Sequence, residues 1–147
     1  MAVSRTLLCA VYAAVALLAL LATWHQNLTY FATGNPFWAT VQFWKETLVT
    51  PASVSIMVDI FLFGLAVVVW MVVEAHRLGI RLVWVYVVFG VLVAISVTVP
   101  LFLLARELRL RALDAGAETV SLTRGDLVGL GLFALPSLVL SVWSLLR

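Results

Sequence analysis

Four apolar runs, at about 6–24, 53–75, 82–104 and 127–146, constrain this chain more than any other feature. Each is close to the ~20 residues an α-helix needs to cross ~30 Å of hydrocarbon. In that solvent every backbone N–H and C=O must find its partner inside the protein, which a helix achieves along its own length. The composition agrees, with 65% of residues hydrophobic, 11% charged and a mean hydropathy of +1.16, against about 25% charged in an ordinary soluble domain. The expected fold class is an all-α membrane protein: a four-transmembrane-helix bundle, one membrane domain over residues 1–147, multi-pass in the plasma membrane of a bacterium. The first run also admits a signal-peptide reading, with Arg5 as the charged n-region and 7–22 as the apolar core. Its long core and the poor cleavage site in "ATWHQN" favour a retained helix.

The net charge of +2 is small and the arginines are scattered, so no nucleic-acid partner is expected. Cys9 is the one cysteine, which excludes an intramolecular disulfide. His25 has no second histidine or cysteine-rich spacing beside it, and no phosphate loop, nucleophile elbow or HExxH occurs. No metal and no cofactor is therefore expected. The expected partners are the lipid bilayer and a second copy or a larger membrane complex.

Between the first two runs lies "HQNLTYFATGNPFWATVQFWKETLVTPAS", too polar to cross and too aromatic for an ordinary solvated loop. Asn35 is a good N-cap, and Pro36 suits the first helical position, where a missing N–H costs nothing. Phe37, Trp38, Val41, Trp44 and Leu48 recur at helical spacing, with Thr40, Lys45 and Glu46 left for water. The pattern predicts a short interfacial amphipathic helix over about 35–49; a lid packed on the other helices fits it as well. Trp24, Trp38, Trp44, Trp84 and Trp143 all fall at or just outside run ends, as an aromatic belt requires.

The second and third runs form a hairpin through "EAHRLGIRLVW". Gly79 is a natural left-handed helix stop, and Glu74 can pair with Arg77 one turn on, an arrangement that anchors more readily than it catalyses. The connection 105–126 reads as a continuation of the third helix that breaks near Gly116, with Thr123 or Asp126 capping the fourth run. Four crossings put Arg5, Arg77, Arg81 and Arg147 on one side and Lys45, Arg106, Arg109, Arg111 and Arg124 on the other. That count is nearly balanced; the sparse basic residues after the first run favour both termini in the cytoplasm.

Asp59 is the anomaly. It lies six residues inside the second run, roughly 9 Å below its start, where an acid must pair, take up a proton or face the bundle interior. If the third run returns antiparallel, "SVTVP" at 96–100 reaches the same depth. There Pro100 frees the carbonyl of Ser96, Thr98 offers a hydroxyl, and Arg106 lies within snorkelling reach. Asp59, Ser96, Thr98, Pro100 and Arg106 thus form a candidate intramembrane polar site, which acts as interhelical glue on one reading and as a titrating or cation-binding site on another. Gly90, Ala94 and Thr98 make a small-residue stripe for close approach, and Ala134, Ser137, Ser141 and Ser144 make a similar face on the fourth run, with Pro136 as a kink.

The order "NP" (35–36), "PASVSIMVDI" (51–60), "EAHRLGIRLVW" (74–84) and "PLFLLARE" (100–107) resembles the DUF2834 family of small integral membrane proteins. Its members look like short multi-span chains with a Pro-Ser-rich entry to an Asp-bearing helix, an E-x-x-RLG hairpin and a "PLFL" followed by Arg-Glu. The resemblance covers roughly 25–107. It implies no activity, since the family has none assigned, and it draws attention to Asp59, Glu74, Arg77, Gly79, Pro100, Arg106 and Glu107. The Ala75-His76 pair departs from the pattern and leaves the hairpin's role open.

The leading expectation is a non-enzymatic accessory or scaffold module that packs on itself or on a larger complex. The alternative is a small proton-linked transporter or lipid-handling carrier that uses Asp59. A membrane-embedded lipid or isoprenoid enzyme ranks last, because Asp59 and Glu74 stand fifteen residues, or about 22 Å, apart on one helix and cannot share a reacting centre.

Overall fold

A computed structural model describes residues 2–32, 34–113 and 120–146. The chain is helical: α1 (Arg5–Phe31), α2 (Pro36–Glu46), α3 (Pro51–Leu78), α4 (Val83–Leu92), α5 (Ile95–Ala112) and α6 (Arg124–Leu146). A two-residue antiparallel ladder joins β1 (Ala2–Val3) to β2 (Val120–Ser121). Three helices, α1, α3 and α6, are long and apolar enough to cross a membrane, which suggests a membrane-embedded protein.

Local chemistry accounts for most helix ends. Asn35 Oδ1 accepts from Phe37 N–H at 2.9 Å with Pro36 at the first helical position, so α2 starts where expected. Thr50 and Ser53 cap α3 reciprocally, and Gly79 ends it in the left-handed region at φ 64°. Thr123 N–H donates to Asp126 Oδ2 while Asp126 N–H donates to Thr123 Oγ1, so α6 is capped by both expected residues together. The expected break near Gly116 lies outside the described residues.

The expectation of four crossings is corrected at the third run. Residues 82–104 do not form one helix: α4 has 10 residues, about 15 Å, and stops at Val93. Ala94 is extended (φ −176°, ψ 139°), and α5 sets off in a new direction with no side chain capping it. The contacts fix both directions. Along α3 and α5, Gly64 meets Ile95, Trp70 meets Phe102 edge to face, Glu74 binds Arg106, and the Leu78 carbonyl accepts from Arg109, each partner 31 or 32 positions on. A constant offset means that α3 and α5 run parallel. Between α4 and α5, Gly90 faces Thr98 and Tyr86 faces Phe102, symmetrically about Ala94. The pair is therefore a helical hairpin whose turn lies against Gly64, the fourteenth of the 28 residues of α3.

Gly90 and Thr98 thus touch each other across the turn instead of sharing one helix face. A Cβ on Gly90 would stand 2.9 Å from Thr98 Oγ1, closer than real Cβ atoms come. Pro100 does not break its helix either; it is buried inside α5, and the interruption falls six residues earlier.

The core lies at the open end of this hairpin. Phe102 is fully buried among Met71, Ala75 and Val83, and receives the edges of Trp70 and Tyr86 with ring centroids 5.7 Å away. Helix α1 packs along α5, with Tyr12 in electrostatic reach of Glu107. On its other side α1 carries α6, where Ser144 Oγ donates to the Ala22 carbonyl at 3.0 Å and Gln26 donates to the Ser144 carbonyl. Of the four residues expected to form a small face on α6, only Ser144 makes an interhelical hydrogen bond among the described residues; Ser137 and Ser141 bond back into their own helix. With β1 on β2 at one end and Ser144 beside Ala22 at the other, α1 and α6 run parallel. The start of α1 and the end of α6 accordingly lie at opposite ends of the molecule, not at the same end.

Candidate functional site

Glutamates are rarely buried without a charged partner, and two occur here, Glu74 at 5% and Glu107 at 6% exposure. Arg106 holds both. Its Nε donates to Glu74 Oε1 at 2.7 Å and its Nη1 to Glu107 Oε1 at 2.7 Å. Arg77 adds a bond from Nη1 to Glu74 Oε2 at 3.2 Å, with its side chain 74% exposed. Two carboxylates and two guanidiniums make a neutral group that fastens α3 to α5 beside α1. The burial of the acids makes the pairing obligatory, because a carboxylate stranded away from water costs several kcal/mol.

The position of this clamp follows from the parallel packing. Glu74 is one turn from the C-terminus of α3 and Arg106 sits in the polar half of α5, so the cluster lies near one end of the molecule. The expected Glu74–Arg77 pair and the Gly79 stop are both present. Arg106, expected to reach toward Asp59, is instead committed to Glu74, fifteen residues and about 22 Å farther along α3.

Asp59 is exposed on α3, and among the described residues it has no hydrogen-bond or ion-pair partner. It lies well away from the stripe of Gly64, Met71, Glu74 and Ala75 that faces the hairpin, since five residues before Gly64 turn a helix by about 140° from that direction. Thr98 is buried, but its hydroxyl donates weakly to the Ala94 carbonyl at 3.4 Å, and Ser96 is exposed. The structure therefore brings together Glu74, Arg77, Arg106 and Glu107, and leaves Asp59 apart from Ser96, Thr98 and Pro100. Sequence reasoning divided Glu74 and Arg106 between two sites; the signal that joins them is the alternation of acid and base in "EAHR" and "ARE" at the ends of two apolar runs.

Both carboxylates of the clamp accept from arginine, and among the described residues no group of three or more His, Cys, Asp or Glu is placed to hold a metal.

Long apolar helices, a folded-back helical hairpin and a buried charge clamp make a small all-helical protein whose apolar helices suggest a membrane protein. The chain belongs to the DUF2834 family, whose model, described as a protein of unknown function, matches residues 11–108. That match takes in α1 to the clamp residues of α5 and leaves out α6. No curated protein and no solved structure matches the chain.

Proposed function

We propose that this protein is a non-enzymatic membrane module, in the plasma membrane of a bacterium, that associates with itself or with a larger membrane complex through the outer face of α3. One observation carries the reading: Asp59 stands exposed on that face, five residues from the middle of the helix. Acids at that depth face other protein or water, because hydrocarbon does not solvate them. Ser55, Ala66 and the exposed Ile56, Leu62 and Phe63 flank Asp59 on the same side at helical spacing, so the face offers a second helix an apolar surface around a single acid. The aromatics of α2 give it an interfacial role on the other side of α3, with Phe37 and Trp38 exposed and Trp44 against Phe61. The test is native mass spectrometry of gently extracted wild-type protein beside Asp59→Asn. A second copy or a stoichiometric partner held by the wild type and weakened in the variant supports the module. Extraction of the wild type as a lone monomer overturns it.

A second reading, a small proton-linked or lipid-handling carrier, is favoured by the irregular backbone at Val93 and Ala94. Such backbone at membrane depth recurs where transporters line a path. An Asp59→Asn variant with unchanged flux in proteoliposomes would remove Asp59 from that reading.

A further inference from the structure

The connection from α3 to α4 and the last turns of α5 enclose an open groove of about 580 Å³. Ile80, Ala105, Leu108 and Ala112 make its apolar wall, and Arg81 and Arg109 its charged rim. Arg109 is held in place: Nε donates to the Leu78 carbonyl at 2.9 Å, and Nη2 lies over Gly79, where a Cβ would be only 3.4 Å away. Among the described residues neither arginine has a carboxylate partner, because Glu74 and Glu107 are taken by Arg77 and Arg106. Among the described residues, the groove thus presents two guanidiniums without a carboxylate beside an apolar surface.

Its depth and its side of the bilayer follow from the fold. Helix α3 has 28 residues, about 42 Å, the thickness of hydrocarbon plus headgroups. With Gly64 at the middle, the end of α3 at Leu78 stands about 21 Å out, at headgroup level. The folding back of α5 also redistributes charge. Arg5, Arg77, Arg81, Arg106, Arg109, Arg111 and Arg124 now share this end, while Lys45 is at the other. The nearly even balance expected for four crossings becomes a strong bias, which assigns the groove's end to the cytoplasm, where the leaflet carries anionic lipids.

We propose that this groove binds the phosphodiester of an anionic glycerophospholipid in the cytoplasmic leaflet, with Arg81 and Arg109 on the phosphate and the glycerol and upper acyl chains along Ile80, Leu108 and Ala112. A guanidinium fork matches phosphate oxygens in pairs, which an ammonium does not. The site uses none of the residues of the proposed association face, so the two readings stand or fall separately.

The experiment is native mass spectrometry of the full chain titrated with phosphatidylglycerol against phosphatidylcholine, with inorganic phosphate in a parallel arm. The wild type is expected to prefer phosphatidylglycerol, with about a fivefold loss of that preference for each of Arg81→Gln and Arg109→Gln. Arg111→Gln with Arg124→Gln, at the same end but outside the groove, should retain it. An equal loss in that control pair reduces the effect to diffuse charge and overturns the site, as does an unchanged preference in Arg81→Gln. Among the described residues Arg81 makes no hydrogen bond or ion pair, so Arg81→Gln remains decisive if the Arg109 variant misfolds. Competition by inorganic phosphate with the same arginine dependence would assign the groove to a soluble phosphate and overturn the lipid.

Discussion

Helix α3 carries two carboxylates that meet opposite fates. Glu74, near its C-terminal end, is buried and bonded to two arginines on two helices' worth of chain; Asp59, in its first half, is exposed and alone among the described residues. The helix is the same, and the difference lies in what packs beside it. Helix α5 runs parallel to α3 only from Gly64 onward, because the hairpin turn stops there, so the lower half has an arginine-bearing neighbour and the upper half has α2 on a different face. An acid placed where the chain supplies a partner is a fastener; one placed where it supplies none requires something outside the chain.

The sharpest way to break this contrast is Arg106→Ala, which strands Glu74 and Glu107 in a buried environment. We expect a loss of about 3–5 kcal/mol, read as a lower unfolding midpoint in detergent. Next, Gly90→Val forces a side chain onto Thr98 Oγ1, already 2.9 Å from an ideal Cβ, and pries the hairpin without touching a charge. An expected cost of about 1–3 kcal/mol, smaller than that of Arg106→Ala, would place the clamp above close packing in holding α5. Asp59→Leu should then leave the unfolding midpoint of the isolated monomer within about 0.5 kcal/mol of wild type, while weakening any association seen on extraction. A large monomer destabilisation would show that Asp59 has a role within the chain and would close the contrast.

A third carboxylate gives the smallest effect. Glu46 on α2 is held below its ordinary value by hydrogen bonds from Tyr30, the larger cause, and Gln42. A depressed carboxyl contributes stability that is present above its unfolded value, ordinarily 4.5, and is lost as pH falls through its lower folded value. Tyr30→Phe should therefore melt slightly below wild type at neutral pH, with the gap narrowing in acid. A gap that widens on acidification would reverse the sign and refute the assignment.

Much of this arrangement was legible because it is local. Asn35 with Pro36, Gly79, Thr123 with Asp126, and Glu74 with Arg77 each announce themselves within four residues, where capping and i,i+3 rules apply. The hairpin was not legible, because hydropathy sums composition along 82–104 and cannot register that the chain turns back halfway. That single error of direction carried Arg106 to the wrong end of α3 and paired it with Asp59. Residues 96–100 stand level with about 65–69, a stretch without any carboxylate, because Ile95 starts beside Gly64 and α5 leads away from Asp59.

The turn at Val93 and Ala94 also bears on how the protein is made. As it leaves the ribosome, the stretch from 82 to 104 offers the insertion machinery a segment apolar enough to be taken for a complete crossing, and α1 and α3 are what hold it folded over instead. The chain thus encodes two candidate topologies that differ in the side on which α6 begins, and the packing of α5 on α1 and α3 favours the folded-back one. That folded-back course depends on Gly64 and Gly90 leaving room for Ile95 and Thr98.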